Sequence, residues 1–174
     1  MAPLVTFGHG TAGQDLIVEL LRGAGIRHVV DVRSFPGSRA NPHVHRDALA
    51  GWLPAAGIGY RWEPRLGGRR RTPADSPDGW WQVDAFRGYA AHMRTPEFLA
   101  AVSELLSGAG PGDTTVLCSE TVWWRCHRRM IADFAVLVHG VPVRHLMHDG
   151  RLPDHQVSAG ARLGDDGLLY YDLP

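Results

Sequence analysis

Hydrophobic runs and glycines alternate regularly in the first third of the chain. Residues 4–7 form a short apolar run that ends at a Gly-His-Gly tripeptide, and residues 26–32 form a second run rich in β-branched side chains. Between them, residues 13–24 carry apolar side chains at the spacing of one helix face, and glycines follow. Strand, helix and strand within about 30 residues predict a βαβ unit with parallel strands.

The same alternation continues to the end of the chain. It predicts four more helices and four more strands: helices over 46–56, 86–93, 96–106 and 126–138, and strands over 58–62, 113–118, 141–146 and, as a last edge strand, 168–171. Residues 63–83 form the longest irregular stretch, which is typical of a functional or mobile loop. We therefore expect one α/β domain over residues 1–174, with three layers and a mostly parallel, Rossmann-like sheet.

Polar side chains cluster where three of the predicted strands end. His9 follows the first strand, residues 31–34 end the second, and residues 118–120 end a third. Open parallel sheets bind ligands outside the carboxyl ends of their strands, so we expect a site at this edge. The candidate catalytic residues are Cys118, Glu120, Cys126 and His127, and the candidate substrate-binding residues are His9, Asp31, Arg33, Ser38, Arg39 and Arg128.

The two cysteines are eight positions apart and form no disulfide framework. Cys126 falls at the predicted start of a helix, beside Arg125, His127 and Arg128. Positive charge and the helix dipole both favour a thiolate, so Cys126 is predicted to be nucleophilic or redox-active. For Cys118, a reactive thiol and a small buried apolar residue both remain open.

Two acids have more than one interpretation. Glu120 lies between a strand and a helix and is either a general acid or base, a partner of Arg128, or a solvated loop carboxylate. Asp31 lies inside an apolar run, where a charge requires a partner, and Arg33 or Arg39 is the natural one. A structural ion pair and an anion-binding arginine are equally consistent with that pattern.

Four side chains near the predicted strand ends have the chemistry of metal ligands. Cys118, Cys126, His127 and His9 would supply sulfur and nitrogen ligands. Their spacing matches no standard zinc motif, so no metal is assigned to these residues. The sequence indicates no particular cofactor.

The charge of the chain is balanced in total but unevenly distributed. Eighteen basic residues, all arginine, offset eighteen acids, which excludes a generally basic nucleic-acid coat protein. Residues 33–71 nevertheless hold eight arginines and two acids, whereas the segment from Asp149 onward holds five acids and two arginines. A basic loop beside a strand-end site predicts an anionic substrate, such as a phosphate, carboxylate or nucleotide.

These features favour an enzyme that acts on an anionic or nucleotide-like small molecule, by thiol-based transfer or by hydrolysis. One alternative is a nucleic-acid-binding or repair accessory module that uses Arg69–Arg71 and tryptophans. Another is a metal-binding or structural, partner-binding domain. No apolar run reaches 18 residues and residues 1–10 lack the features of a signal peptide, so we expect no membrane segment and a cytoplasmic protein.

The ordered set of motifs resembles the domain-of-unknown-function 488 family. The resemblance is carried along nearly the whole chain by Thr6–Gly10, Asp31–Arg39, Leu66–Gly68, Phe86, Tyr89, Met93, Leu117–Glu120 and Cys126–Arg128. It implies a single α/β domain whose motif residues line one pocket, and it implies no established reaction. Three departures mark this sequence: Gly10 stands where serine is common, Val44-His45 where phenylalanine and a polar residue are usual, and the linker Trp123-Trp124 is bulkier than usual.

Overall fold

A five-stranded parallel sheet forms the centre of the protein in the computed structural model, which describes residues 2–108 and 111–174. Its strands are β1 (Leu4–Gly8), β2 (His28–Asp31), β3 (Gly59–Trp62), β4 (Thr114–Cys118) and β5 (Val143–Leu146). They lie in the order β3-β2-β4-β1-β5, and every neighbouring pair is parallel. Because all strands run the same way, their carboxyl ends share one edge.

Helices cover both faces of the sheet. They are α1 (Gln14–Gly23), α2 (Arg46–Ala55), α3 (Asp84–His92), α4 (Pro96–Ser107) and α5 (Arg128–His139). Alternate strand residues divide between the layers: Phe7 packs with α1 and α2, whereas Leu4 packs with α3, α4 and α5. Each fully buried side chain of this size contributes about 1.5–3 kcal/mol to folding. The three-layer α/β architecture predicted from the sequence is confirmed.

The helices are all short. The longest within residues 2–108 and 111–174 are α4 and α5, with 12 residues each. No helix in this part of the chain has both the length and the apolar character needed to cross a bilayer.

A small antiparallel hairpin lies outside the main sheet. It consists of β6 (Arg162–Leu163) and β7 (Leu169–Tyr170). The predicted edge strand therefore exists as β7, but it pairs with β6, whose two exposed residues give no hydrophobic signal. Tyr171 follows β7, is fully buried, and donates a hydrogen bond to Oδ2 of Asp133 at 2.8 Å. This bond fastens the C-terminal segment to α5.

The start of α5 differs from the prediction in a way that matters for the site. Cys126 was expected to open the helix, but it is extended, with φ −130° and ψ 151°, and α5 begins at Arg128. A single 3-10 turn over Trp123–Arg125 precedes it and redirects the chain. Cys126 consequently lies just before the helix, where the free N–H groups of its first turn point toward the cysteine.

Candidate functional site

The three polar strand ends predicted from the sequence are neighbours in the sheet. Gly8 at the end of β1 pairs with Cys118 at the end of β4, and Asp31 at the end of β2 pairs with Leu117. An open cleft of about 430 Å³ lies at this edge. The cleft is lined by Arg33 after β2, by Cys118 and Glu120 after β4, and by Cys126 and His127 before α5.

Two glycines allow the loop after β4 to lie directly on the end of β1. A Cβ atom at Gly8 would overlap the carbonyl oxygen of Glu120, and one at Gly10 would overlap the hydroxyl of Thr121. Gly10 also has a φ of +49°, which disfavours residues with a side chain. A glycine at this position therefore agrees with the close approach of the Thr121 hydroxyl.

His127 is oriented as a base toward Cys126. Its Nε2 lies 2.7 Å from the carbonyl oxygen of Val32, so this nitrogen must carry the proton and donate it. Its Nδ1 then presents a lone pair to the Cys126 sulfur at 3.5 Å. Burial lowers the pKa of His127, which keeps the ring neutral and able to accept a proton.

The Cys126 sulfur is stabilised as a thiolate. Burial raises its pKa, but the Cys118 thiol, the charge of Arg128 and the Arg128 backbone N–H together outweigh burial and hold the pKa at about 7. The N–H belongs to the first turn of α5, whose positive dipole end favours a negative sulfur. A large fraction of Cys126 is therefore ionised at neutral pH.

Arg128 is a buried cation with no carboxylate partner within the described residues. It is 1% exposed, and its guanidinium donates to the Cys118 sulfur and to the carbonyl oxygens of Glu120 and Thr121. A buried charge without a counter-charge is costly. The thiolate of Cys126 supplies the missing negative charge, whereas burial raises the pKa of Cys118 well above its usual range and keeps that thiol protonated.

The predicted substrate-binding residues at β1 and β2 hydrogen-bond to one another in a closed cluster, of which Arg33 also lines the cleft. Arg33 donates to both carboxylate oxygens of Asp31, at 2.8 and 2.6 Å, and Tyr60 donates to the same carboxylate at 2.6 Å. Arg33 also lies 3.3 Å from Nε2 of His9, whose Nδ1 donates to the Gly10 carbonyl. Burial lowers the pKa of His9 to about 4, so it stays neutral. Arg33, and not Arg39, is the partner of Asp31.

Unpaired cations surround the mouth of the cleft instead. Arg69 and Arg125 are exposed, line the cleft and have no carboxylate partner in residues 2–108 and 111–174. Phe35 stands beside them with 71% of its surface exposed, and the Arg69 guanidinium lies 5.4 Å from its ring centroid. Glu120 is also exposed at the cleft. Its carbonyl, not its carboxylate, holds Arg128.

Two predicted binding residues lie outside this cleft. Arg39 is exposed and does not contribute to the lining, and neither does Ser38, whose hydroxyl accepts a hydrogen bond from the Asn41 N–H at 3.0 Å. Both lie in the loop after β2, several residues beyond the strand end. Sequence proximity to Arg33 placed them in the site, but the loop carries them away from it.

Three groups that hold His127 in position could not be identified as site residues from their chemistry alone. One is the Val32 carbonyl, because a backbone acceptor leaves no signal in a sequence. Another is Gly68, where a Cβ atom would lie 2.6 Å from Nδ1 of His127. The third is Tyr89, whose ring meets the His127 ring edge-on at 5.1 Å and whose hydroxyl donates to the Leu66 carbonyl at 2.8 Å. Gly68 and Tyr89 belong to the motifs that carry the family resemblance, which was the available signal.

Some of the arginine and tryptophan side chains that the nucleic-acid hypothesis needs are already bound to other groups of the protein. Arg70 donates to the carbonyl oxygens of Gly67 and Pro64, at 3.1 and 2.8 Å. Trp123 stacks on His145 with a centroid distance of 4.3 Å and an interplanar angle of 3°. Trp124 remains 45% exposed.

The structure gives the metal interpretation no assembled ligand set. Within residues 2–108 and 111–174, no group of three or more His, Cys, Asp or Glu side chains is arranged to hold a metal ion. Both ring nitrogens of His9 are occupied by other partners, the Gly10 carbonyl at Nδ1 and the Arg33 guanidinium at Nε2.

Comparison with known proteins gives one match. A family model described as a domain of unknown function, DUF488, matches residues 14–135, which is more than half of the chain. No curated protein matches the chain. No solved structure matches it.

Proposed function

Because the chain belongs to the DUF488 family, whose description assigns no activity, we propose a function from the site itself. We propose that the protein is an enzyme that acts on an anionic or nucleotide-like small molecule through the Cys126 thiolate, by group transfer or hydrolysis. The observation that carries this proposal is the aligned series of Cys126 Sγ, His127 Nδ1, His127 Nε2 and the Val32 carbonyl, which opens onto a cleft with unpaired arginines.

This series has the parts of an activated nucleophile. A nucleophile within reach of a base, with the base oriented by a third group, is the arrangement that covalent catalysis requires. His127 accepts the proton from any fraction of Cys126 that is still a thiol, and the Val32 carbonyl keeps the accepting nitrogen aimed at the sulfur. The buried guanidinium of Arg128 stabilises the thiolate between turnovers.

The rim of the cleft supports an anionic substrate. Arg69 and Arg125 have no carboxylate partner in the described residues, so their charges are available to a phosphate or carboxylate. The exposed ring of Phe35 offers a flat apolar surface beside them, on which a base or another planar ring can stack. An anion next to a planar ring is the chemistry of a nucleotide.

Glu120 is the candidate for later proton transfers. In the first step the Cys126 sulfur forms a bond to the electrophilic atom of the substrate, and the bond to the leaving group breaks. The proton that His127 takes from the Cys126 thiol passes to that leaving group, and Glu120, exposed at the same cleft, is available to accept a proton from an incoming water or acceptor molecule. Free thiols require a reducing compartment, and we therefore place the activity in the cytoplasm.

The nucleic-acid hypothesis has less support. It needs several free arginines beside free aromatic rings, but Arg70 is bound to backbone carbonyls and Trp123 is stacked on His145. A small anionic ligand needs only the Arg69 and Arg125 charges that remain.

Alkylation across pH tests the central claim. Reduced protein is treated with iodoacetamide between about pH 5 and 10, and the modified residue is located by peptide mapping. We expect Cys126 to be labelled with a midpoint near pH 7. Labelling that rises only near the ordinary thiol pKa of about 8.5 would falsify the activated nucleophile.

A substrate panel tests the rest. Phosphate monoesters, nucleotides and carboxylate esters are incubated with the protein, and a covalent adduct on Cys126 is sought by mass spectrometry. Arg69→Ala and Arg125→Ala should weaken turnover of any substrate found, whereas Arg39→Ala, an exposed arginine outside the cleft, should not. Equal losses in all three variants would contradict the assigned cleft.

A further inference from the structure

The proposed reaction uses one of two thiols that line the same cleft. Cys118 and Cys126 are the only cysteines of the chain, and both are free. Cys126 faces His127 and the start of α5, whereas Cys118 lies at the end of β4 against the Arg128 guanidinium. Nothing in the nucleophilic role of Cys126 requires a second sulfur beside it.

We propose that Cys118 is a resolving thiol: when hydrogen peroxide oxidises Cys126, Cys118 closes an intramolecular disulfide with it. The cleft thereby holds a reversible oxidation site in addition to the site of the proposed function.

The contacts of the two sulfurs support this assignment. Both sulfurs line the same cleft beside Arg128, whose guanidinium donates to the Cys118 sulfur and whose charge favours the Cys126 thiolate. Forming an S–S bond of about 2.05 Å requires a movement of the two side chains toward each other. Trp123 in the loop between them is stacked on His145, whereas Trp124 is 45% exposed, so the movement falls to the cysteine side chains and the end of the loop next to Cys126.

A resolving pair requires one acidic thiol that reacts with peroxide and a second thiol that stays protonated, and the two cysteines differ in this way. Cys126 is the more acidic and attacks the peroxide, since the thiolate is the species that reacts. Burial keeps Cys118 protonated and therefore unreactive toward peroxide itself. The Arg128 guanidinium, which donates to the Cys118 sulfur, stabilises that sulfur as it loses its proton during the second step.

Both steps balance with peroxide as the named oxidant. The Cys126 thiolate attacks one peroxide oxygen, the O–O bond breaks, and Cys126 becomes a sulfenic acid as hydroxide leaves and is protonated to water. The Cys118 sulfur then attacks the sulfenic sulfur, the S–O bond breaks, and the departing hydroxide takes up the Cys118 proton as a second water. A dithiol is oxidised by two electrons to a disulfide, and one peroxide is reduced to two waters.

Mass spectrometry of the whole protein tests the proposal. Reduced protein is exposed to a small molar excess of hydrogen peroxide, and free thiols are then blocked with iodoacetamide. Tryptic cleavage after Arg125 separates the two cysteines into residues 95–125 and 126–128, so a disulfide appears as a cross-linked peptide. We expect that cross-link, a loss of about 2 Da at these two peptides, and full reversal by dithiothreitol.

Two variants make the result specific. Cys118→Ser removes the resolving thiol, so Cys126 should proceed to sulfinic acid, a gain of about 32 Da that dithiothreitol does not reverse. Cys126→Ser is the matched control, in which Cys118 should remain a free thiol under the same exposure. If Cys118→Ser fails to fold, the cross-link in the unaltered protein decides the question alone.

Three outcomes would overturn the proposal. They are oxidised Cys126 beside free Cys118 in the unaltered protein, a disulfide between two chains, and no oxidation of either thiol while glutathione in the same sample is oxidised. Each leaves the proposed function standing, because alkylation and substrate turnover at Cys126 are measured on the reduced protein.

Discussion

Two buried charged clusters lie at neighbouring strand ends, and only one of them has the character of a reactive site. The Asp31–Arg33 cluster is complete: both carboxylate oxygens accept from Arg33, and Tyr60 donates to the same group. The Arg128 cluster is incomplete, because its guanidinium has no carboxylate within the described residues and faces a thiol. Burial and charge are common to both, so the lack of a carboxylate partner for Arg128 is what makes its cluster the candidate for chemistry.

Among variants that distinguish the Arg128 cluster from the Asp31–Arg33 cluster, Cys126→Ser should have the largest effect, and that effect is on activity. Because the serine hydroxyl is not ionised at neutral pH, we expect activity on any substrate found to fall by about 10³-fold or more. Folding stability should fall by a smaller factor than activity, because Arg128 loses the thiolate that offsets its charge but keeps its hydrogen bonds to Cys118, Glu120 and Thr121. Activity and urea unfolding are measured on the same preparation, and retained activity would remove Cys126 from the catalytic role.

Asp31→Asn should give the reverse pattern. It leaves Arg33 buried without its counter-charge, and breaking a buried pair from one side costs about 3–5 kcal/mol of unfolding free energy. Native protein should still alkylate Cys126 at the unaltered rate, because the Asp31 and Arg33 side chains bond to each other, to Tyr60, to His9 and to the Val44 carbonyl, and not to Cys126 or His127. Asp149→Asn, which breaks an exposed pair with Arg151, is the control and should cost less than about 1 kcal/mol. A slowed Cys126 reaction in folded Asp31→Asn would show that the clusters are coupled.

Gly68→Ala probes the positioning of the base. The new methyl group would lie 2.6 Å from Nδ1 of His127, so the ring must move away from Cys126. A displacement of about 1 Å at a catalytic group costs about 10²-fold in rate. Gly51→Ala is the matched control, because that glycine in α2 has open space around it. The two variants are compared by turnover and by the pH midpoint of alkylation, and indistinguishable values would remove Gly68 from the positioning role.

The effect that is smallest for each measured step is a pH dependence that arises at His9, beside Arg33. Burial lowers the pKa of His9 to about 4, whereas the unfolded chain titrates near 6.5. Between these two pKa values the unfolded state binds a proton that the native state does not bind. The free energy of unfolding therefore falls by about 1.4 kcal/mol per pH unit as the pH falls from 6.5 toward 4. Urea unfolding at several pH values should show a shallower slope for His9→Gln than for the unaltered protein. Identical slopes would mean that other buried histidines, such as His145, account for the acid sensitivity.

Much of the fold was readable because buried strands and amphipathic helices leave strong periodic signals. The runs at β1, β2 and β4 are apolar on both sides, as parallel strands between two helical layers must be, and their bounds are close to those predicted. The start of α5 was misplaced, since Cys126 and His127 are compatible with either a helix or an extended chain. The β6 strand was missed because two exposed residues in a hairpin carry no pattern.

The sequence predicted which types of residue form the candidate site, but it did not predict which side chains pair with each other. Strand-end position brought His9, Arg33, Cys118 and Cys126 to one edge of the sheet, which parallel topology guarantees. It did not distinguish the saturated Arg33 from the unsaturated Arg128, because the acid that neutralises a buried arginine is set by side-chain geometry. Arg39, which the sequence made an equal candidate, lies outside the cleft.

The sequence by itself determined the α/β layering, the shared edge of the strand ends and the presence of two thiols among arginines, because these follow from periodicity and chain order. Only the tertiary structure supplied the contacts that favour Cys126 over Cys118 as the proposed nucleophile. They are the Val32 carbonyl that fixes the tautomer of His127 and the burial of Arg128 without a carboxylate in the described residues, and the start of α5 at Arg128 adds to them. The two contacts join segments that are apart in the chain, and local sequence carries no record of such contacts.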